Sequence, residues 1–224
     1  MLRGSTWPQV GLLETLLMML LITGLIVFIG AHAIRIVSED LRSGLVVRLG
    51  PLAYKGLISV LSLLGLVLIA KGYAAARANP IELWTAWSGA RHVVATLSLV
   101  AFVLFVAAYV PKNTLRARLK HPMVIGVKVW ALGHLLANHT LADLLLFGSL
   151  LAWAVLSFRA ARRRDAAAAQ AAGATEVAAQ SASATAGPST SRIADAAVIV
   201  LGLAAYWVFA FHLHASLIGV RPFG

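Results

Sequence analysis

The chain has 224 residues, of which 60% are hydrophobic and only 12% are charged, and its mean hydropathy is +0.86. Soluble domains are usually about 45–50% apolar and about 25% charged, so this composition indicates a polytopic membrane protein. The net charge of +11 does not indicate nucleic-acid binding, because the basic residues sit at the ends of apolar runs and not on one solvated face. The absence of cysteine excludes disulfides, thiolate metal sites and cysteine nucleophiles.

Apolar stretches that approach the length of a membrane-spanning helix, about 20 residues, recur along the whole chain. The first is longer than the apolar region of a cleavable signal, about 7–15 residues, and is predicted to be a transmembrane helix. The fourth is the least apolar, and almost nothing separates it from the fifth, which predicts a tight helical hairpin. The predicted fold is all-α, a polytopic integral membrane protein of about six transmembrane helices: Val10–Val37, Leu52–Ala70, Val93–Val110, Met123–Asn138, Leu141–Phe158 and Ala194–His214.

The segments between these stretches predict the orientation, because Lys and Arg favour cytoplasmic loops and acidic residues count little. The N-terminal segment, the second and fourth loops and the C-terminal segment, which share one side of the membrane, hold only Arg3, Lys71, Arg77, Arg91 and Arg221. Lys128 lies inside the fourth helix. Both termini are therefore predicted to be non-cytoplasmic. The first, third and fifth loops hold Arg35, Arg42, Arg48, Lys55, Lys112, Arg116, Arg118, Lys120, Arg159, Arg162, Arg163, Arg164 and Arg192.

A run rich in Ala, Ser and Thr interrupts the pattern between the fifth and sixth stretches. Its first residues could extend the fifth helix, because Ala is the best helix former, but the rest has no apolar face to bury. The expected organisation is a five-helix membrane body over residues 1–160, a disordered cytoplasmic linker over 161–193, and a sixth transmembrane helix over 194–224 that completes the same domain.

Histidines within the predicted spans are the first candidates for a functional site, because ionisable residues in a membrane are costly. His32 lies about seven residues before Glu39, which places it roughly 10 Å below the interface at 1.5 Å per residue. His134 lies mid-span and shares an i, i+4 stripe with Gly126, Trp130 and Asn138. This stripe could line a pocket for a planar ligand, but its spacing alone favours helix packing, in which small residues allow close approach.

His121-Pro122 opens the fourth helix, where proline suits the first turn. The stretch from His121 to His134 spans about 20 Å of helix, so His121 matches the depth of His32 better than His134 does and is kept as a reserve ligand. Lys128 could neutralise a cofactor carboxylate, although reaching back to the headgroups is favoured. Imidazoles on separate helices with no thiolate or carboxylate beside them suit haem iron. Near the hairpin turn, His139 and Asp143 are expected to be solvated.

Three segments resemble the NnrU family of bacterial membrane proteins. They are FIGAHAIRIVSEDLRSGLVVRLGPLAYKGLISVLSLLGLVLI, LKHPMVIGVKVWALGHLLANHTLADLLLFGSLLAWAV and HLHASLIGV. The pattern that carries the resemblance is His121-Pro122, Gly126, Trp130, His134 and Asn138, and the likeness covers essentially the whole chain except the linker.

This family also contains the plastid 15-cis-zeta-carotene isomerase, a b-haem protein whose iron acts in cis–trans isomerisation of a carotene double bond. Its two proposed haem histidines match His32 and His134. The resemblance therefore implies haem b with these two residues as metal ligands. Trp130 and Asn138, from the stripe that contains His134, and the reserve ligand His121 complete the expected cofactor-binding residues. The isomerase has a cysteine, a proposed alternate ligand, where this chain has Ala131, so exchange with that thiol is excluded.

The resemblance implies a bacterial inner-membrane protein in contact with the lipid bilayer, and it leaves two classes of function open. One is a haem protein, acting in denitrification-linked redox chemistry or as a haem-dependent isomerase of an apolar polyene. The other is a non-catalytic accessory without cofactor, serving expression or maturation of nitrite or nitric oxide reductases. A more distant likeness to isoprenylcysteine-type methyltransferases, through Lys120-His121-Pro122, lacks their downstream acidic residues. The substrate and the oligomeric state are not indicated by the sequence.

Overall fold

In the computed structural model, residues 11–85, 87–178 and 189–223 are described, and they form helices joined by short turns. No strand occurs in these ranges, and an isolated antiparallel bridge joins Glu82 and Thr140. The all-α prediction is therefore confirmed. The helices are α1 (Leu12–Val37), α2 (Glu39–Leu49), α3 (Pro51–Ala76), α4 (Ala90–Tyr109), α5 (Thr114–Leu119), α6 (Pro122–Ala137), α7 (Leu141–Ala178), α8 (Arg192–Val208) and, after a π-helical turn over Phe209–Leu213, α9 (His214–Ile218).

Within the described residues, five helical segments are long and apolar enough to cross a membrane: Thr15–Val37, Pro51–Ala76, Ala90–Tyr109, Leu141–Ala172 and Arg192–Ile218. The fourth predicted span corresponds to α6, which is apolar but has only 16 residues. At 1.5 Å per residue α6 is about 24 Å long, against a hydrocarbon core of about 30 Å. The chain is therefore an α-helical membrane protein in which one predicted span is short.

The described residues up to Thr85, together with His139–Ser149, form one compact unit, here called the first unit. In it α1 packs against α3 where glycines let the two backbones approach. A Cβ on Gly72 would lie 2.3 Å from the backbone nitrogen of Leu21, and one on Gly65 would lie 2.8 Å from that of Phe28. This contact fixes Phe28, which precedes His32 by one helical turn.

The short helix α2 separates α1 from α3 and buries none of its residues. Ser38 caps it by accepting a hydrogen bond from the Leu41 N–H, and Glu39 pairs with Arg35 and Arg42 at 3.0 and 3.1 Å. Gly50, at φ +81°, then turns the chain so that Pro51 begins α3. The basic residues on either side of Ser38 thus share one carboxylate.

Residues 87–138, 150–178 and 189–223 belong to the second compact unit, which is arranged around α4. Helix α6 meets α4 at Gly126 and Gly133, and α8 meets it at Gly202. Added Cβ atoms there would lie 2.6 Å from the Phe105 ring, 3.0 Å from Leu97 and 2.8 Å from the Cα of Val103. Small residues therefore determine how closely helices pack in this unit as well.

Two sequence-based boundaries differ from the structure. Helix α7 continues to Ala178, so residues 161–178 of the expected disordered linker are helical, as the high helix propensity of their alanines allows. Residues 179–188 lie outside the described ranges. The compact units divide near residues 85, 138 and 149 and not at 160 and 193. The sequence boundaries follow changes in amino-acid composition. The compact units instead follow which helices contact each other in the fold, and composition does not show this.

Candidate functional site

His32 lies near the end of α1, in the first unit, with its side chain partly buried. Its Nδ1 lies 2.7 Å from the backbone carbonyl oxygen of Phe28, four residues earlier. The Phe28 ring packs against the imidazole with a centroid separation of 4.5 Å and an interplanar angle of 33°. Since a carbonyl oxygen only accepts, Nδ1 carries the proton in this hydrogen bond, and the ring lone pair is on Nε2.

His134 lies in the last turn of α6, in the second unit, and repeats the arrangement of His32. Its Nδ1 donates to the carbonyl oxygen of Trp130 at 2.9 Å, and the Trp130 ring packs against it with centroids 4.8 Å apart. Both predicted ligands are thus imidazoles in one fixed tautomer, each beside an aromatic ring one turn earlier. Metal-binding histidines commonly donate their second ring N–H to a backbone carbonyl, which orients the ring and raises its basicity as a ligand.

The other residues of the α6 stripe have different roles. Gly126 faces α4, as its proximity to Phe105 shows. Asn138 caps the end of α6 by donating its Nδ2–H to the His134 carbonyl oxygen at 2.8 Å. Steps of four residues advance by about 40° around a helix of 3.6 residues per turn, so Gly126 and Asn138 lie about 120° apart. The stripe thus divides into a packing residue, the Trp130–His134 pair and a cap.

At the opposite end of α6, His121 and Lys128 contact the second half of α7. The Nε2 of His121 lies 2.9 Å from the Asp165 carboxylate, and its ring meets the Phe158 ring edge-on at 6.3 Å. The Lys128 ammonium lies 4.1 Å above the Phe158 ring centroid, a favourable cation–π distance. The carboxylate contact of the reserve ligand His121 contrasts with the backbone contacts of His32 and His134.

Clusters that could hold a metal ion through three or more His, Asp or Glu side chains do not occur in the described part of the chain. The residues present therefore do not form a typical zinc or carboxylate-bridged centre. A haem needs only one or two protein ligands, because the macrocycle supplies four nitrogens. His32 and His134 each offer an imidazole nitrogen of the kind that haem iron takes.

Comparison with known proteins identifies the family of the chain. The family model described as NnrU protein matches residues 20–222, nearly the whole chain. The chain belongs to the NnrU family. The matched range of this NnrU chain includes both predicted ligands and the three segments that carried the resemblance. No match was found among curated proteins, and none among solved structures.

One buried polar group in this NnrU chain was not anticipated. Asp143, expected to be solvated, is only 5% exposed. Its carboxylate accepts from the Tyr73 hydroxyl at 2.5 Å and from the Thr140 N–H and Oγ1–H at 3.0 and 2.6 Å. The signal was the spacing Thr140-x-x-Asp143, which is typical of a capping box at a helix start, but it does not reveal the distant Tyr73.

The remaining histidines lie outside both arrangements. His139, in the turn before α7, is 3.7 Å from the Glu82 carboxylate. His92 and His212 are exposed. His214, which follows the π-helical turn, donates from Nδ1 to the carbonyl oxygen of Val220 at 2.7 Å, and Gly219 at φ +79° allows that return of the chain. His92 is thus a suitable control position.

Proposed function

We propose that this NnrU-family protein binds one b-type haem, which the Nε2 atoms of His32 and His134 would hold. The observation that carries the proposal is that both side chains donate Nδ1–H to the carbonyl oxygen four residues earlier. The backbone of each helix thereby sets the tautomer that a metal ligand needs. Phe28 and Trp130 supply flat apolar surfaces beside the two imidazoles.

The protein's own contribution is orientation and exclusion of water. Each Nδ1 hydrogen bond holds an imidazole ring at a fixed angle to its helix axis, and the neighbouring aromatic ring limits rotation about the side-chain bonds. Asn138 caps the C-terminal end of α6 by donating to the carbonyl oxygen of His134. The haem would supply a redox couple or an electron-accepting iron, which are the properties required for redox or isomerisation chemistry.

The function proposed for the site is a redox role linked to denitrification, or cis–trans isomerisation of an apolar polyene that enters from the lipid bilayer of the bacterial inner membrane. The two differ in what the histidines do. In a redox role both His32 and His134 would hold the haem, whereas in isomerisation only one of them would hold it. Zeta-carotene supplied to cells that lack their own isomerase tests the second role.

Absorption spectroscopy of the detergent-purified protein from haem-replete cells tests the haem proposal. A Soret band is expected for the wild type, and strong loss or a shift to a high-spin spectrum is expected for His32→Ala and for His134→Ala. Added imidazole should restore the low-spin spectrum in both variants, because it replaces the missing ligand. His92→Ala, an exposed position, should keep the wild-type spectrum. A colourless wild-type protein refutes the proposal.

The second candidate function is the non-catalytic accessory, in which no cofactor binds. It is favoured by the fact that the Nδ1–H groups of His32 and His134 donate to carbonyl oxygens of their own helices, an arrangement that also satisfies a histidine that binds no cofactor. If the protein is such an accessory, His32→Ala and His134→Ala leave the absorption spectrum unchanged and change only stability or partner binding. The same spectra therefore distinguish the two candidates.

A further inference from the structure

One end of the second unit carries an unusual density of positive charge, and we refer to it as the basic end. Its residues come from the α4–α5–α6 connection, from α7 beyond Phe158 and from the start of α8. Two acidic side chains, Asp165 and Asp195, accompany them among the described residues. The basic members are Lys112, Arg116, Arg118, Lys120, Arg159, Arg162, Arg163, Arg164 and Arg192.

Contacts within the unit hold these three segments together. Asp195, on α8, accepts hydrogen bonds from the Thr114 N–H at 2.6 Å and from the Thr114 hydroxyl at 2.7 Å. The Ser191 N–H donates to the Lys112 carbonyl oxygen at 2.9 Å. His121 joins the start of α6 to Asp165 on α7. The basic end is therefore one surface within the unit.

Both carboxylates of the basic end are engaged in these internal contacts. Asp195 uses each of its oxygens on Thr114. Asp165 bonds His121 and lies 4.0 Å from the Arg162 guanidinium. The two acids thus connect helices and leave most of the positive charge uncompensated.

Four of the exposed arginines of the basic end have no carboxylate within ion-pair distance among the described residues. Arg116, Arg118, Arg159 and Arg163 are exposed and form no ion pair with a described side chain. The first unit differs, because its Arg35 and Arg42 both pair with Glu39. An anion from outside the protein would relieve the repulsion among these guanidinium groups.

The position of the basic end identifies the kind of anion. It lies where the apolar helices α4 and α8 have their ends, which in a membrane-spanning chain is the depth of the lipid headgroups. Guanidinium groups bind phosphate oxygens through paired N–H donors, and basic clusters next to membrane spans attract anionic lipids. Phe158, which lies under the Lys128 ammonium, directly precedes Arg159, so the basic end adjoins the apolar part of α7, a wall suited to acyl chains.

We propose that the basic end binds the phosphate groups of anionic phospholipids, and that such lipids are bound components of the protein. The phosphate chemistry alone would also suit free inorganic phosphate. The lipid is the chosen ligand because the cations and the apolar wall occur together at headgroup depth. The proposal does not depend on haem binding.

Native mass spectrometry of the full-length protein, with phosphatidylglycerol and phosphatidylcholine as probes, tests the proposal. The wild type is expected to retain phosphatidylglycerol and to be stabilised by it against heat, with little effect of phosphatidylcholine. The double variant Arg159→Gln/Arg163→Gln should bind phosphatidylglycerol at least about fivefold more weakly, because each basic residue near a membrane surface contributes separately to anionic-lipid binding.

The matched control is Arg91→Gln/Arg221→Gln, which removes the same charge from exposed residues outside the basic end. It should keep wild-type binding, and circular dichroism should show that both double variants are folded. Equal losses in the two double variants overturn the proposal, because only net charge would then matter. Stabilisation by inorganic phosphate alone, with displacement of phosphatidylglycerol, also overturns it by assigning the surface to a soluble anion.

Discussion

At the residue scale, the buried carboxylate of Asp143 should contribute strongly to stability. Removing it in Asp143→Ala leaves the Tyr73 hydroxyl and two donors of Thr140 without this acceptor. We expect the free energy of unfolding to fall by about 3–5 kcal/mol, and by about 1.5–3 kcal/mol in Tyr73→Phe, where one hydrogen bond to a charged group is lost. Denaturation in mixed detergent micelles measures both losses.

The control for the tyrosine change is Tyr109→Phe, because Tyr109 is 76% exposed. Its stability should equal that of the wild type. If Tyr73→Phe and Tyr109→Phe are equally harmless, the Tyr73–Asp143 hydrogen bond is not a stabilising contact.

Single residues were predicted from sequence only where a local pattern carried the information. Trp130 was predicted on the stripe of His134, whereas Phe28 was not singled out beside His32, and the hydrogen bonds that select the tautomer require coordinates. The prediction that Asp143 is solvated was wrong because a carboxylate next to a turn is usually exposed to water, and hydropathy does not show that this one is buried. Its partner Tyr73 is 70 residues away in sequence, and no local pattern connects them.

At the element scale, Gly72 sets the distance between α1 and α3. In Gly72→Ala the new Cβ would lie 2.3 Å from the Leu21 nitrogen, and a backbone atom cannot move aside as a flexible side chain can. We expect the free energy of unfolding to fall by about 1–3 kcal/mol or more, as for other overpacked contacts. Thermal unfolding in detergent, followed by circular dichroism, measures the change.

Gly56→Ala, in the same helix, is the matched control, because nothing lies within 4 Å of its added Cβ. It should leave stability unchanged or raise it by up to about 1 kcal/mol, since Ala favours helix more than Gly does. A loss as large as that of Gly72→Ala would show that helix flexibility, and not the close approach to α1, explains the effect.

Most elements were predictable because a membrane span is encoded by length and hydropathy alone. Helix α6 is the partial exception. Polar residues including Lys128 and His134 lower its hydropathy, and it has only 16 residues between its first residue, Pro122, and its C-cap, Asn138. The π-helical turn over Phe209–Leu213 was not predicted, because no residue type requires it. The sequence prediction ended α7 too early. The segment after residue 160 lacks an apolar face, which favours disorder, but its alanines favour helix and α7 continues to Ala178.

At the scale of the whole molecule, the remaining prediction is orientation, which rests on the unequal distribution of basic residues. The segments expected in the cytoplasm hold thirteen Lys and Arg residues and the opposite segments hold five, as counted along the sequence. This bias normally decides how short loops are retained during insertion. We therefore predict that the loop before α4 is on the non-cytoplasmic side of the membrane and that α2 is on the cytoplasmic side.

Single-cysteine labelling tests this orientation without background, because the chain has no cysteine. Ser88, before α4, and Ser43, in α2, are both exposed, and cysteine is close to serine in size. In intact spheroplasts a membrane-impermeant maleimide should label Ser88→Cys and leave Ser43→Cys unlabelled until the membrane is permeabilised. The opposite labelling pattern would show that the protein has the inverted orientation in the membrane. It would then place the basic end, and any phospholipid bound there, in the outer leaflet of that membrane, against the charge bias.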